Sequence, residues 1–369
     1  MCKIPSKKIT IYLPSLNGGG AERVFAILAN EFIRLGFDVV LILGIAEGPY
    51  LEEISAKVEV VDFQSKRIRG SFLKLVKYFR KNRPNIVLTA MRHANIMVTI
   101  ALILSNVKSR LILSERNSIS ISLKHMSTFK AIFLKFAMFA TYRYADKIIS
   151  VSKGVSDDLC STLAINRSRV QVIYNPIETN SIINLSQEDV DLNWFSKISS
   201  PIVLSVGRLT KQKDHETLLY AFSKVIKRKK AHLVILGDGD LRDNLLKKIE
   251  NLGLTDFVSL PGFILNPFPI MKKSDIFVLS SLWEGLPNSL IQAMTFGLPV
   301  VSTNCQFGPE EILENGRWGK LVPVGDINGL ADAIIETLAD GVHPDTACRS
   351  LDFSVEHASK LYLDAIFPS

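Results

Sequence analysis

Cysteine is scarce in this chain and is arranged for no joint chemistry. Cys2, Cys160, Cys305 and Cys348 are scattered through 369 residues with no Cys-x-x-Cys pair. That excludes a disulfide framework and a cysteine zinc site, and it fits a reducing compartment. Long apolar runs are also missing: no window reaches the roughly 18 uncharged apolar residues of a membrane-spanning helix, because Lys130 and Lys135 interrupt the best candidate. The segment from Met1 to Lys8 lacks the apolar core of a signal peptide and leads straight into a strand pattern. The glycine run Gly18-Gly19-Gly20 is not Gly-x-Gly-x-x-Gly, which argues against a dinucleotide dehydrogenase.

What is present describes a two-domain globular protein. A length of 369 residues is long for one core and comfortable for two, and 47% hydrophobic with 22% charged residues is a globular composition. Charge is uneven. Residues 1–180 hold 26 Lys and Arg against 13 Asp and Glu, whereas residues 181–369 hold 18 against 23. The densest basic run, Lys66 to Arg83, has eight cations and no acid, and Phe72, Leu75, Val76 and Phe79 recur in it at helical spacing. A second stretch, Phe129 to Phe139, is rich in aromatic and aliphatic residues and is bracketed by Lys124 and Arg143. Basic amphipathic helices suit an anionic membrane face, so residues 66–83 and 124–143 are assigned to one. Neither an RNA-binding signature nor interleaved exposed aromatics is found, so no nucleic acid partner is expected.

The chain reads as α/β throughout. Ile9 to Leu13 is a strand, Ala21 to Leu35 a helix closed by Gly36, and Asp38 to Leu43 the next strand. Asn85 to Leu88, Ser109 to Leu113 and Lys147 to Val151 continue a doubly wound pattern. A polar joint lies between about Asn180 and Ser200. A second sheet follows, from Ile202 to Val206, His232 to Leu236, Val258 to Leu260, Ile276 to Leu279 and Val300 to Ser302. The domains are accordingly 1–180 and 181–350, with a helical segment 351–369 at the end. In such sheets ligands meet the carboxyl ends of the strands.

One strand-to-helix corner carries the most chemistry. After the strand Ile276 to Leu279 come Trp283-Glu284-Gly285-Leu286-Pro287-Asn288-Ser289-Leu290-Ile291-Gln292-Ala293-Met294, with helical periodicity from Leu290 to Phe296, Gly297 as a C-cap and Pro299 beyond. Free N–H groups around Asn288, Ser289 and Leu290 suit a phosphate, while Glu284 and Gln292 can accept hydrogen bonds from hydroxyls. This corner, running on into Gly297-Leu298-Pro299-Val300-Val301-Ser302-Thr303, resembles the signature of family-4 retaining glycosyltransferases of the GT-B fold. Ser205-Val206-Gly207-Arg208-Leu209-Thr210-Lys211-Gln212-Lys213-Asp214, Leu236-Gly237-Asp238-Gly239 and Gly18-Gly19-Gly20-Ala21-Glu22 match that family in the same order. The matches span nearly the whole chain. One residue departs: the family usually places a second Glu eight positions after the first, where this chain has Gln292.

The resemblance implies two Rossmann-like domains facing across a deep cleft, with the last segment crossing back onto the first domain. It places Gly19 and Gly20 beside the donor diphosphate, and Gly18, Glu22 and Arg23 on the acceptor side. Arg208 and Lys213 become ligands of the diphosphate, with Gly237 and Gly239 in the adjoining loop. Gly262 and Phe263 read the nucleobase edge, Glu284 contacts the transferred sugar, and Gly285, Leu286, Asn288, Ser289, Leu290 and Gln292 complete the nucleotide site. Thr89 to Asn95 and Ser114 to Asn117 end first-domain strands at the cleft side; of the histidines, His93 alone is positioned to touch a reacting sugar, and Asn95, Arg116 and Asn117 are further acceptor-side candidates. The catalytic set is Glu284, Arg208, Lys213 and His93; Asn175, in Tyr174-Asn175-Pro176, is structural support. Asp238 and Asp240 form an Asp-x-Asp pair that elsewhere binds a divalent cation, but the flanking glycines favour a tight turn, and no metal or cofactor is expected.

The implied reaction moves a hexose or N-acetylhexosamine from a nucleoside diphosphate sugar, with UDP as the preferred carrier, and retains the anomeric configuration. No carboxylate pair is placed for the two-step glycosidase route, so stabilising the departing diphosphate is the main catalytic device. The acceptor is a glycan, free or polyprenyl-diphosphate-linked, at the cytoplasmic face of the plasma membrane of a bacterium assembling surface polysaccharide such as O-antigen or capsule. Two other readings remain open: a degenerate transferase fold serving as a nucleotide-sugar-binding scaffold, and a UDP-N-acetylglucosamine 2-epimerase.

Overall fold

The computed structural model describes residues 7–17, 19–65, 68–124, 126–188 and 193–368, with the side chains of Ile68 and Arg69 also outside the description. The chain divides into two units, Met1–Pro176 with Val355–Ser369, and Ile177–Ser354. The divisions read from the sequence, after 180 and after 350, fall four residues later and four residues earlier than these.

The first unit is a seven-stranded sheet with helices between its strands. Its strands are β1 (Lys8–Leu13), β2 (Asp38–Leu43), β3 (Glu59–Asp62), β4 (Ile86–Ala90), β5 (Arg110–Glu115), β6 (Lys147–Ser150) and β7 (Val170–Val172). They run parallel in the order β3-β2-β1-β4-β5-β6-β7, the doubly wound order that reverses direction beside β1. The central strands β1 and β4 are largely apolar, with Ile9, Ile11, Tyr12 and Leu13 in one and Ile86, Val87, Leu88 and Ala90 in the other, because helices cover both faces of a parallel sheet. The helices are α1 (Gly20–Arg34), α2 (Ile68–Asn82), α3 (Arg92–Ser105), α4 (Ile119–Lys124), α5 (Thr128–Tyr142) and α6 (Lys153–Leu163). The edge strand β3 and the three-residue β7 carry too little apolar sequence to be anticipated; β3 is mostly exposed.

The second unit repeats the design. Its strands are β8 (Ile202–Val206), β9 (His232–Leu236), β10 (Val258–Gly262), β11 (Ile276–Leu279), β12 (Val300–Thr303) and β13 (Lys320–Val322). All are parallel, in the order β10-β9-β8-β11-β12-β13. Around them lie α7 (Thr179–Leu185), α8 (His215–Val225), α9 (Arg242–Asn251), α10 (Phe268–Lys272), α11 (Asn288–Met294), α12 (Pro309–Ile312), α13 (Ile327–Ala339) and α14 (Thr346–Ser350). The last helix, α15 (Val355–Ile366), belongs to the first unit, where Tyr362 packs edge-on against Phe25 of α1 and Arg110 donates to the Ala365 carbonyl at 2.9 Å.

Two helices of the first unit correct the reading of the basic stretches. In α2, Leu75, Val76 and Phe79 are buried and Phe72 packs on the same core cluster, so its apolar stripe faces inward, and of its described side chains Leu73 is the large apolar one left exposed, at 68%. Lys66 and Arg67 lie outside the described residues. Helix α5 behaves differently. Leu134, Met138 and Tyr142 point inward, while Phe129 is 82% exposed, Phe133 and Phe136 68% and Ile132 65%. One helix thus buries a narrow stripe and leaves four large apolar side chains in solvent.

A buried polar network holds α5 in place. Glu115, at the end of β5, pairs with Arg92 at 3.1 Å and accepts from the Tyr142 hydroxyl at 2.6 Å. Asn95 donates to that hydroxyl at 3.1 Å and to the Ser114 carbonyl at 3.0 Å. Burial works against the Arg92 charge, but Glu115 with Tyr142 and Asp158 more than offsets it and holds the guanidinium above its usual value. Asp158 of α6 accepts from Ile119 and Ser120 N–H, so one helix caps the start of α4 from a distance. Replacing Tyr142 by Phe leaves the buried Glu115 without one of its donors; unfolding in urea should show a loss of about 1–3 kcal/mol.

Candidate nucleotide-sugar site

The second unit builds its site around one buried ion pair. Lys213 follows the loop after β8, and Glu284 stands between β11 and α11; their Nζ and Oε1 are 2.6 Å apart, with the side chains 18% and 7% exposed. Ser281 donates to the same Oε1 at 2.6 Å. Glu284 Oε2 has no protein donor among the described residues, so it keeps a free acceptor. The two loops are fastened by further bonds. Gln212 donates to the Trp283 carbonyl and accepts from Leu282 N–H, both at 2.8 Å, and Ser280 donates to the Lys213 carbonyl at 2.8 Å. Thr303 at the end of β12 holds the Ser281 carbonyl at 2.6 Å.

Glycines allow these loops to touch. A Cβ on Gly207 would sit 3.1–3.3 Å from the Lys213 stem, and one on Gly237, at φ +145°, would lie 2.0 Å from the Gly207 carbonyl oxygen. Gly239 stands likewise against the Leu209 backbone. Arg208 is exposed and in no ion pair among the described residues, so its guanidinium is available to an anion. Asp238 accepts from Gly239 N–H at 2.8 Å through its side chain. No cluster of three metal-ligating side chains occurs among the described residues.

The corner itself is polar where it meets solvent. Helix α11 starts at Asn288 with Pro287 before it, and the proline supplies no side-chain cap. Asn288, Ser289 and Gln292 are half-buried. Leu290 is corrected as a ligand: its side chain is fully buried and its N–H bonds the Pro287 carbonyl at 3.2 Å. Leu286 and Gly285 are also buried and shape the turn. Gly262, at φ +101°, accepts from Gly237 N–H at 2.9 Å through its carbonyl, and Phe263 beside it is 65% exposed, a flat apolar surface next to the backbone edge.

In the first unit, Gly18 lies outside the described residues. Gly19 leaves room for Glu22, whose carboxylate would meet a Cβ there at 2.0 Å, and Arg23 sits over the Tyr50 ring. Gly20, His93 and Asn117 are exposed and free of steric cover. Two acceptor candidates are corrected. Asn95 is fully buried and bonded within the Tyr142 network, out of reach of a ligand. Arg116 is 8% exposed, donates to Asn175 Oδ1 at 2.7 Å and faces the Phe25 ring; burial lowers its pKa, with Tyr362 opposing. It braces the first unit together with Asn175.

Several site residues carry no sequence signal of their own. Ser281, Gln212 and Thr303 act through hydrogen bonds to backbone or to Glu284 and look like ordinary polar loop residues. Cys305 is buried near the ion pair, and its thiol is pushed up to about 12 by burial and by the Glu284 carboxylate, so it stays protonated and inert. His215, which opens α8 two residues after Lys213, is 3% exposed, has no partner for Nδ1, and is pushed down to about 3 by burial and by the Lys213 charge. The lowered value means that the unfolded chain binds a proton between pH 6.5 and about 3 that the folded chain refuses, so stability is lost as pH falls through that window. Each unit in it costs at most about 1.4 kcal/mol from this group. Urea midpoints at pH 7.5 and 5 should therefore fall further on acidification in the native protein than in His215→Gln.

Comparisons with known proteins agree with this geometry. The model described as Glycosyltransferase Family 4 matches residues 18–181, and that described as Glycosyl transferases group 1 matches residues 200–340. A glycosyltransferase of Methanocaldococcus jannaschii is 34% identical over 65% of this chain and 60% of its own length. The N-acetylgalactosamine-N,N'-diacetylbacillosaminyl-diphospho-undecaprenol 4-alpha-N-acetylgalactosaminyltransferase of Campylobacter jejuni is 31% identical over 90% of this chain and 91% of its own. Among solved structures, Anabaena HepE in complex with UDP and glucose superposes with a TM-score of 0.79 at 21% identity, over 96% of this chain and 98% of that one. Two doubly wound units of this kind in one chain are the GT-B fold, and the chain belongs to the family-4 glycosyltransferases.

Proposed function

We propose that this protein transfers a hexose or N-acetylhexosamine from a UDP-sugar to a glycan carried on polyprenyl diphosphate, in assembly of a bacterial surface polysaccharide. The buried Lys213–Glu284 pair carries the reading. Lys213 has further N–H donors beyond the one facing Glu284, and with the exposed Arg208 it would neutralise the departing diphosphate without a metal. Glu284 Oε2 would take a hydroxyl of the transferred sugar. The corner carries Gln292 where a second acid would stand, so a route through diphosphate departure with attack on the same face, and retention of configuration, is favoured over a covalent glycosyl intermediate. Phe263 and the Gly262 backbone would receive the base, and half-buried Gln292 the ribose.

The acceptor side rests on α5. Four exposed apolar side chains, flanked by exposed Lys124, Lys130, Lys135 and Arg143 with no acid from Ile119 to Arg143, suit an anionic bilayer surface. No described helix is long and apolar enough to cross a membrane, so the attachment would be peripheral, at the cytoplasmic face. The Campylobacter relative, whose name states a diphospho-undecaprenol acceptor, supports the same reading.

Thermal unfolding with UDP, GDP, ADP and dTDP in EDTA tests the donor site. UDP should stabilise the native protein, and Arg208→Ala and Lys213→Ala should remove the shift; Lys213→Ala will also lower the starting midpoint, because it strips a buried carboxylate of its partner. Stabilisation by none of the four would overturn the proposal. Gln292→Glu should tighten UDP about five-fold by calorimetry, since a charge-assisted bond to the ribose replaces a neutral one at a gain of about 1 kcal/mol. Phosphatidylglycerol vesicles should sediment the native protein but not Phe133→Ser/Phe136→Ser, and salt should weaken the binding without abolishing it.

A further inference from the structure

The turn from β4 into α3 is made by one residue. Strand β4 ends at Ala90 and α3 begins at Arg92, so Met91 carries the whole change of direction. Its backbone stands at φ 73° and ψ 130°. Asn106, Ala164 and Asp214 also have positive φ, but their ψ of 40° to 46° keeps them in the left-handed helical well. Met91 lies outside all three wells open to an L-residue, where the penalty comes from the Cβ and is least for glycine. The start of α6 shows the relaxed alternative: Ser152 is extended and caps its helix by accepting from Val155 N–H at 3.1 Å, whereas Met91 gives α3 no side-chain cap.

The strain persists because the residues on both sides are fixed. Ala90 is paired in register with Ser114 of β5. Arg92 donates to Glu115 Oε1 at 3.1 Å and to the Ser118 carbonyl at 3.3 Å. One turn on, Asn95 N–H bonds the Met91 carbonyl at 2.8 Å, and the Asn95 side chain donates to the Ser114 carbonyl at 3.0 Å. The half-buried Met91 side chain packs against the core on both faces of the sheet. Strain of this kind survives only where the surroundings over-determine it, and it gathers at sites that need a group held in one place. The group so held is His93, exposed in the first turn of α3, beyond the carboxyl end of β4 where a doubly wound sheet receives its ligand. A longer, relaxed connection would let that turn swing; the one-residue elbow ties it to rigid elements on both sides.

We propose that Met91 is a positioning residue, whose strained turn holds His93 in place to hydrogen-bond the attacking hydroxyl of the acceptor sugar. The inference rests on the glycosyltransferase reading and on His93 as an acceptor contact. Such a bond serves the reaction only while it keeps the hydroxyl oxygen in line, and a displacement of order 1 Å is costly. Because Met91 acts through His93, its effect belongs in kcat and not in the affinity for the donor nucleotide.

The test separates strain from packing. Met91→Ala and Met91→Gly remove the same side-chain contacts, but only glycine also releases the strain, and that release outweighs the greater freedom of glycine in the unfolded chain. Met91→Gly should therefore melt about 2–4 °C above Met91→Ala, while its kcat falls about ten-fold below, at an unchanged KM for the donor. Turnover is read as UDP release by the full chain from UDP-N-acetylgalactosamine, UDP-N-acetylglucosamine, UDP-galactose and UDP-glucose, with farnesyl-diphosphate-linked N-acetylglucosamine as acceptor. Combined with His93→Ala, the two substitutions should give equal kcat, because nothing remains to be aimed. A turn that serves the fold alone would shift the melting temperature and leave kcat level between the two variants. That result overturns the proposal, as does Met91→Gly melting no higher than Met91→Ala, or a kcat difference that survives His93→Ala. Native protein that releases UDP from none of the four donors sinks the transferase reading and the proposal with it, whereas native turnover with equal kcat in the two variants sinks the role of Met91 alone.

Discussion

A carboxylate 6% exposed has to be matched, and the second unit is organised around matching Glu284. Lys213 supplies the charge and Ser281 a second donor to the same oxygen. Because the two partners come from loops after different strands, the pair can form only if those loops lie against each other. Gln212, Ser280 and Thr303 bond the loop backbones together, and Gly207 and Gly237 remove the side chains that would hold them apart. A buried ion pair is a poor source of net stability, since the desolvation of both charges roughly cancels their attraction. Its value here is positional: it fixes an ammonium and a carboxylate at the strand ends where a ligand of a doubly wound sheet is received.

The first unit solves a comparable problem for another purpose. Glu115, Arg92, Tyr142 and Asn95 form a buried polar network at the ends of β4 and β5, and Asp158 of α6 caps α4 within reach of it. Tyr142 is the last residue of α5, so the network grips one end of that helix while Leu134 and Met138 bury its inner stripe. The outer face is then free to remain apolar without loosening the fold. Four exposed aromatic and aliphatic residues on one held helix form a surface with a direction, unlike apolar residues scattered singly.

Much of this was legible in the sequence because parallel strands buried on both faces leave predominantly apolar runs. Ile9 to Leu13, Ile202 to Val206 and Ile276 to Leu279 are such runs, and the structure places strands on all three. The short edge strands β3, β7 and β13 lack that signal because one side needs no cover. Periodicity could not tell α2 from α5: both carry apolar residues at helical spacing among cations, and only the position of the sheet decides that Leu75 and Phe79 turn inward while Phe133 and Phe136 turn out. Asn95 and Arg116 misled for a related reason, since a polar residue near a strand end can serve a buried network as readily as a ligand.

Within the proposed reaction, the Lys213–Glu284 pair also explains why a cation so close to an acid is not wasted. An isolated lysine in an open loop would be solvated in many rotamers and would lose that freedom on meeting a diphosphate. Held at 2.6 Å by Glu284 and lying along the bare Gly207 backbone, the Lys213 stem is already ordered before the ligand arrives. One of its N–H groups faces the carboxylate and the others remain to be filled, so an incoming phosphate adds to the pair rather than competing for it. As negative charge grows on the departing diphosphate, the ammonium is drawn toward it, and the Glu284 carboxylate becomes a stronger acceptor toward whatever donor faces Oε2. In this arrangement that donor is a hydroxyl of the sugar, so the residue that orders the cation also tightens on the sugar as the bond between sugar and phosphate opens.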